Sequence, residues 1–232
     1  MLRILKFFTL FSFLSIQSSF AQTCNDATYM KEGAVWEMGS FDKKGNLEAT
    51  TKSFVKKSTK LSNGVSWLVN ALVTDKKGKK VSDSDIEVRC EGNNFFINPK
   101  HLLDPRQMQS MKDMEISIET VDLEYPIIMN KGNTLKNGSI NVKASTSGIQ
   151  VMNMMIEVLD RKVEEFEEIT VKAGNFKAYR ISQTTKVTNN IVKIETNSVD
   201  YYVPGFGVIK SISYNKKGEQ DGYSELMSYT KP

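Results

Sequence analysis

The sequence predicts an all-β protein, built as a strongly curved antiparallel sheet or a partly open β-barrel with one short helix. Apolar and polar residues alternate with a period of two in several segments, which is typical of half-buried strands. Turn signals join these segments directly and leave little room for the long crossovers that parallel strands need. Together these two observations favour an antiparallel sheet.

The alternation is clearest over residues 86–90, 115–119 and 139–144, where Ile, Val, Cys and Ala are separated by polar or charged residues. In such segments the apolar side chains face the core and the polar ones face water. Residues 65–73 differ because they are apolar on both faces. We therefore expect them to form a central strand, or a strand covered by another element.

Three turns repeat one pattern, in which Asp or Asn is followed by two lysines and a glycine, at residues 42–45, 75–78 and 215–218. The first residue caps the turn and the glycine takes the left-handed conformation that closes it. Asn63-Gly64 and Asn137-Gly138 indicate two tighter hairpins. We interpret the lysine tips as aids to solubility; contact with anionic head groups or polysaccharide is the alternative.

A short helix is predicted over residues 105–113. Asp104 precedes Pro105, which suits the first helical position, and Gln107 completes a capping box. Met108 and Met111 then lie on one face of the helix. We expect this helix to cover a sheet face or the mouth of a barrel.

Residues 1–21 have the features of a signal peptide. Arg3 and Lys6 precede the apolar run 7–16, and Ser19 and Ala21 fit a signal-peptidase site. The apolar run is too short to span a bilayer, and no later stretch reaches that length. Residues 22–232 are predicted to be one all-β domain. We expect this domain to be exported to the periplasm or the outer membrane, with release from the cell as the alternative.

The charge of the mature chain argues against a nucleic-acid partner. Removal of the leader leaves 29 basic and 27 acidic residues, a formal charge of +2, with the two signs interspersed. Proteins that bind nucleic acid present a strongly basic face instead. We expect a monomer with an ordinary polar surface and no transmembrane segment.

Two cysteines remain in the mature chain, and in an exported protein an even pair predicts a disulfide. The bond would join Cys24 to Cys90 across about 65 residues. Free thiols and lipidation of Cys24 are the alternatives. Lipidation fits poorly, because Thr23 stands where a lipobox has Gly or Ala.

The usual catalytic and metal-binding patterns are missing from the sequence. His101 is the single histidine, and neither a Gly-x-Ser-x-Gly elbow nor a glycine-rich phosphate loop occurs. Glu164, Glu165, Glu167 and Glu168 form an acidic run, but it lacks the Asp, Asn and Gly of calcium loops. We read it as an exposed strand that pairs with lysines, with Glu165 on the face of Val163. The prediction is no enzyme, no cofactor and no metal.

Methionine is abundant, with eleven in the chain and ten in its mature part. Flexible thioethers adapt to varied apolar shapes at binding surfaces, but they also fill irregular cores. The leading hypothesis is a non-enzymatic carrier of a lipid or another apolar or amphipathic molecule. The alternative is a structural or interaction module with a filled core that docks to an envelope protein. The candidate ligand-binding residues are Trp36, Trp67, Met108, Met111, Met152 and Met154.

Three segments resemble the TapB-like family of exported proteins from Gram-negative cell envelopes, a family without an assigned function. They are residues 29–41, residues 161–179 with Glu-Ile-Thr-Val-Lys-Ala-Gly-Asn-Phe at 168–176, and residues 202–218 with Tyr-Val-Pro-Gly-Phe-Gly at 202–207. Lys172 and Asn175 replace the Pro and Thr usual in the second segment. The resemblance implies an all-β fold and an envelope location. It implies no activity, and its glycines and proline look like turn residues.

Overall fold

The computed structural model describes Cys24, residues 29–103, Met111 and residues 113–232. Over this part of the chain, thirteen strands form one antiparallel sheet, which confirms the predicted fold class. The 3-10 helix Pro99–Leu102 begins after Asn98, whose side chain accepts a hydrogen bond from the Lys100 amide. The predicted signal peptide and, except for Met111 and Asp113, the predicted helix over 105–113 lie outside the described residues.

Most strands follow one another through short connections; the longer ones are residues 98–114 and 127–137. The strands vary from four to 23 residues in length. Their bounds are β1 Val35–Asp42, β2 Leu47–Leu61, β3 Gly64–Asp75, β4 Lys80–Glu91, β5 Asn94–Ile97, β6 Glu115–Val121, β7 Leu123–Pro126, β8 Gly138–Thr146, β9 Ile149–Val171, β10 Gly174–Asn189, β11 Lys193–Val203, β12 Gly207–Tyr214 and β13 Gln220–Thr230. In the sheet they take the order β6-β8-β9-β10-β11-β12-β13-β1-β2-β3-β4-β5-β7.

The sheet curves until its two edges meet. Strands β6 and β7 lie at opposite edges of the sheet, yet Asp122 alone separates them in sequence. One residue spans only about 3.5 Å of chain, so the edges must be adjacent there. The chain after β7 then reaches β9, where the Leu135 amide donates to the Arg161 carbonyl (2.8 Å) and the Gly132 amide donates to the Val163 carbonyl (2.7 Å). The sheet is thus a nearly closed barrel, and we call the junction at Asp122 the seam.

The three lysine turns have the predicted geometry. The Asp42 carboxylate accepts hydrogen bonds from the amides of Lys44 (2.8 Å) and Asn46 (2.9 Å), and Asp75 and Asn215 accept the equivalent pairs. Gly205 has a φ of 75° directly after Pro204, and the Phe206 amide donates to the Val203 carbonyl (3.1 Å), as in a type II turn. These local interactions set the hairpin connections of the sheet.

Buried apolar side chains occupy both faces of the sheet. Along β10, Tyr179 and Ile181 belong to a central cluster, whereas Ala178 belongs to a second cluster with Val203. Since neighbouring residues of a strand point to opposite faces, the two clusters lie on opposite sides. The central cluster fills the barrel near the seam; its members include Val55, Trp67, Val69, Val88, Phe95, Leu123, Tyr125, Val158, Val163 and Tyr202. A third cluster comprises Leu103, Ile140, Val142, Met154 and Ile156.

A register shift in β9 changes which residues face the barrel. Leu159 pairs with Thr184 and Lys162 with Ser182, so β9 contains one residue more than β10 over this stretch. Asp160 lies at the bulge and adopts a left-handed backbone conformation, with a φ of 53°. Residues 154, 156 and 158 are buried before the bulge, whereas Arg161 and Val163 are buried after it. The bulge therefore turns Arg161 inward and Asp160 outward.

A second shift corrects the expectation for the acidic run. Arg180 pairs with Glu165 and Ile181 with Val163, so Glu164 is the extra residue on β9. Glu165 consequently lies on the face opposite to Val163, because the alternation assumed from the sequence is interrupted between them.

The predicted disulfide between Cys24 and Cys90 is present, with a sulfur–sulfur distance of 2.04 Å. Both residues are buried in the central cluster, and 66 positions separate them in sequence. The bond fixes Cys24 to the end of β4.

Replacement of both cysteines by serine is expected to lower the free energy of unfolding by about 2–4 kcal/mol, because the unfolded chain regains the freedom that the long loop denies it. Urea denaturation at pH 7 measures the change. Wild type unfolded in the presence of reductant is the matched control. Equal stability of the oxidised protein and the double variant would contradict this account.

Candidate functional site

The inner face of β9 combines an apolar row with a buried cation. Met152, Met154, Ile156 and Val158 follow one another on this face, half-buried at Met152 and buried thereafter. Arg161 comes next, after the bulge, and is completely buried. At about 3.3 Å per residue, the row from Met152 to Arg161 extends roughly 30 Å. We call Met152, Met154, Ile156 and Val158 the β9 apolar row.

Arg161 joins the two sides of the seam. Its Nη1 donates to the carbonyl oxygens of Lys136 (2.6 Å) and Glu124 (3.1 Å), which precede β8 and lie in β7 respectively. Its guanidinium lies 4.4 Å from the centre of the Tyr125 ring. These contacts compensate much of the cost of burying a cation, because they replace water with carbonyl oxygens and an aromatic face.

A chain of hydrogen bonds connects Arg161 to a buried carboxyl group. Arg161 Nε donates to Gln183 Oε1 (3.3 Å), and Gln183 Nε2 donates to Asp200 Oδ2 (2.7 Å). The Ser211 hydroxyl donates to Asp200 Oδ1 (2.6 Å). Strands β9 to β12 thus each contribute one residue to a polar network that lies inside the barrel.

Two buried polar atoms of this region have no hydrogen-bond partner among the described residues: Arg161 Nη2 and the Tyr202 hydroxyl. Tyr202 is stacked on Tyr125, with ring centres 4.4 Å apart, and Arg161 lies against the same Tyr125 ring. Both atoms are hydrogen-bond donors, and buried donors are normally satisfied. This pair of donors is therefore a candidate binding point for an acceptor. We call Arg161, Gln183, Asp200, Ser211, Tyr125 and Tyr202 the Arg161 site.

Burial dominates the electrostatics of the Arg161 site. It raises the pKa of Asp200 from its ordinary 3.8 to about 6, although the Ser211 hydroxyl and the Arg161 charge act in the opposite direction. It also raises the pKa of Tyr125 to about 12 and that of Tyr202 well above its ordinary range. Both phenols are consequently neutral at physiological pH, while Asp200 titrates close to it.

The candidate ligand-binding residues from the sequence fall into separate parts of the fold. Met152 and Met154 lie in the β9 apolar row, and Met111 is buried. Trp67 is buried in the central cluster, stacked on Phe95 at 5.9 Å. Trp36 packs against Phe206 at 5.5 Å and contacts both the central and the second cluster. Met108 lies outside the described residues.

The acidic run makes ion pairs with basic neighbours, as expected. Lys131 Nζ lies 2.7 Å from Glu165, and Arg180 Nε lies 3.2 Å from Glu167. Within the described residues, no group of three or more His, Cys, Asp and Glu side chains is arranged to hold a metal ion. No helix in that part of the chain is long and apolar enough to cross a membrane.

Sequence reasoning did not identify Arg161 or Asp200 as site residues. Arg161 occurs in a resemblance segment, but strict alternation with the buried residues before it would have turned it outward. Asp200 interrupts the alternation of β11 at a position where Val or Ile is normal, between Val199 and Tyr201. For Asp200, the sequence feature that could have identified it is a charged residue at an inward-facing position of a strand.

The raised pKa of Asp200 leads to a prediction about stability. The folded state holds the Asp200 proton up to about pH 6, whereas the unfolded chain releases it near pH 3.8. The stability that this proton contributes is present below about pH 4 and is lost as the pH rises through 6. From pH 4 to pH 7, Asp200→Asn should therefore gain up to about 3 kcal/mol in free energy of unfolding relative to wild type.

Denaturant titrations of both proteins across this pH range measure the effect. Asp85→Asn is a control of opposite sign, because the Lys56 hydrogen bond lowers the pKa of the exposed Asp85 carboxyl. A difference between wild type and Asp200→Asn that does not change with pH would contradict the assignment.

The comparisons with known proteins agree with the fold. A DUF3108-like family model matches residues 31–226, and no curated protein matches. A solved structure from Bacteroides fragilis, provisionally described as an exported protein with a YmcC-like fold, is similar to this chain with a TM-score of 0.73. Its sequence is 20% identical, and the match covers 88% of this chain and all of that one. A Parabacteroides distasonis protein, provisionally described as a lipoprotein, is 21% identical, with a TM-score of 0.74 and 88% and 98% of the two chains covered. The family match spans most of the chain, which therefore belongs to the DUF3108-like family.

Proposed function

We propose that the protein is a non-enzymatic carrier of an amphipathic molecule with an acidic head group, acting in the periplasm or at the outer membrane as a monomer. One observation leads to this proposal: the β9 apolar row ends at a buried arginine whose Nη2 has no partner among the described residues. An acyl chain would lie along the row, and its carboxylate or phosphate would accept hydrogen bonds from Arg161 and the Tyr202 hydroxyl.

The chemistry of the row fits such a ligand. Methionine side chains adapt to apolar molecules of different shapes, and the row begins at the half-buried Met152 before becoming fully buried. The arginine supplies a positively charged hydrogen-bond donor at the far end of the row. Polarity at one end and flexible apolar groups along the rest are what an amphipathic ligand requires.

The envelope location rests on the leader-like residues 1–21, the disulfide and the descriptions given to the two solved structures. The TapB-like resemblance of three segments points to the same compartment. The absence of a catalytic role is part of the proposal. It is supported by the hydrogen bonds of Asp200, both of whose oxygens accept from neighbouring side chains instead of facing a reactive partner.

A filled structural module of the envelope is the second candidate. It is supported by the packing across the barrel near the seam, where Tyr125 of β7 stacks on Tyr202 of β11 although eight positions separate these strands in the sheet. In this reading the Arg161 site only holds the barrel together, and an exposed face or edge of the sheet would dock to another envelope protein.

Probe binding separates the two candidates. We expect mature protein purified from the native host to contain an enriched acidic lipid by mass spectrometry. We also expect a fluorescent fatty acid to bind at least about tenfold more tightly than the matching fatty alcohol, because a charge-assisted hydrogen bond contributes about 1.5–3 kcal/mol. Neither enrichment nor probe binding, with a partner protein captured by crosslinking, would favour the structural module.

Tyr202→Phe tests the head-group site most directly, because it removes a hydroxyl group that has no partner among the described residues. A carrier should lose about twofold to tenfold in fatty-acid affinity without loss of stability. Tyr223→Phe, on a ring stacked with Phe41 outside the central cluster, is the matched control and should bind normally. If the fatty acid binds equally well to wild type and Tyr202→Phe, the Arg161 site is not the head-group site.

A further inference from the structure

Few charged side chains are buried in this protein. Among the described residues, Arg161 is the one buried cation, and Asp200 and Glu225 are the buried acids. Glu225 forms its ion pair with the exposed Lys172 (3.8 Å). Asp200 instead shares the Gln183 side chain with Arg161, through hydrogen bonds of 2.7 and 3.3 Å. Arg161 and Asp200 are therefore the charges that balance each other inside the barrel.

The free donors of the Arg161 site suit a carboxylate. Of the five guanidinium donors, Nε bonds to Gln183 and Nη1 bonds to the carbonyls of Glu124 and Lys136. The two N–H groups of Nη2 and the Tyr202 hydroxyl have no partner among the described residues. These three donors match the two oxygens of a carboxylate, whereas a phosphate group presents three strongly accepting oxygens and carries up to two negative charges.

A bound anion competes with Asp200 for the positive charge of Arg161. When Asp200 is ionised, these two charges cancel, and a carboxylate added beside them would be a buried charge without compensation, which is costly. A nearby like charge also favours the protonated form of a carboxyl group. Protonation of Asp200 thus restores the balance for a head group with one negative charge, but not for a dianion.

The surroundings of Asp200 favour this protonation. Burial raises its pKa to about 6, against the opposing effects of the Ser211 hydroxyl and the Arg161 charge. The phenols nearby are neutral, because burial raises the pKa of Tyr125 to about 12 and that of Tyr202 well above its ordinary range. Strands β10 and β12 contribute an uncharged amide and a hydroxyl group. Of these groups, Asp200 is the one that titrates near neutral pH.

We propose that the Arg161 site takes a head group with a single negative charge, a carboxylate, and that Asp200 takes up a proton from the solvent when this ligand binds. The inference rests on the proposed carrier function, because it concerns the same site. Ligand is held more tightly in acidic than in alkaline surroundings, and a rise in pH favours its release.

Calorimetry and probe binding measure the proton uptake. Titration of mature wild type with a fatty acid at pH 7, in two buffers of different ionisation enthalpy, should show uptake of up to about one proton per ligand. Affinity for the fatty acid should fall about fivefold to fiftyfold from pH 6 to pH 8, as expected when the ligand raises the pKa of Asp200 by one unit or more. An alkyl sulfonate of equal chain length stays ionised throughout, so the same pH dependence for this probe assigns the proton to the protein. The matching alkyl phosphate, a dianion at pH 8, should bind at least about tenfold more weakly than the fatty acid.

Asp200→Asn should bind the fatty acid with the same affinity at pH 6 and pH 8 and without proton uptake. Asp85→Asn, at an exposed carboxyl group, is the matched control and should keep the pH dependence of wild type. The proton count on wild type needs no variant and stands if Asp200→Asn does not fold.

The outcomes separate this inference from the proposed function. Tight fatty-acid binding by wild type without pH dependence or proton uptake would overturn the inference and leave the carrier function standing. Alkyl phosphate binding as tight as that of the fatty acid at pH 8 would overturn the choice of a carboxylate. Failure of every acidic probe to bind at any pH would overturn both the inference and the carrier function.

Discussion

The buried guanidinium of Arg161 is the interaction on which the closed form of the sheet depends. It hydrogen-bonds to carbonyl oxygens on both sides of the seam and lies against the Tyr125 ring. Loss of this cation would remove the donor to the carbonyl groups of Glu124 and Lys136 and to the Gln183 side chain in the interior, which is far more costly than the loss of an exposed charge. The pairing of strands makes a curved sheet and Asp122 joins its two edges, while the guanidinium bonds β9 to β7 across that junction.

The bulge at Asp160 puts that cation inside the barrel. Without the extra residue, the inward position of β9 would fall on the aspartate and the arginine would face water. One residue in a left-handed conformation thus determines the chemistry of the interior. The β9 apolar row lies on the same strand before the bulge, so a single strand supplies both the apolar surface and the buried positive charge. This combination is the physical basis of the proposed carrier function.

The chemistry of β9 changes along its length. At the bulge, Arg161 joins a polar network inside the barrel, whereas the inward residues before the bulge are methionine, isoleucine and valine. The apolar row and the buried cation thus follow one another along one strand, which is the arrangement on which the proposed carrier function rests.

The sequence by itself determined the strands, the lysine-tipped turns, the turn at Pro204 and the disulfide, because alternation, turn chemistry and cysteine pairing are local or pairwise properties. Only the tertiary structure decided that β6 and β7 occupy opposite edges, that Trp36 and Trp67 lie apart from Met152 and Met154, and that Arg161 is buried beside Asp200. These facts depend on the order of strands in the sheet and on two register shifts in β9. A slip of one residue exchanges the two faces of a strand, and no local pattern records it.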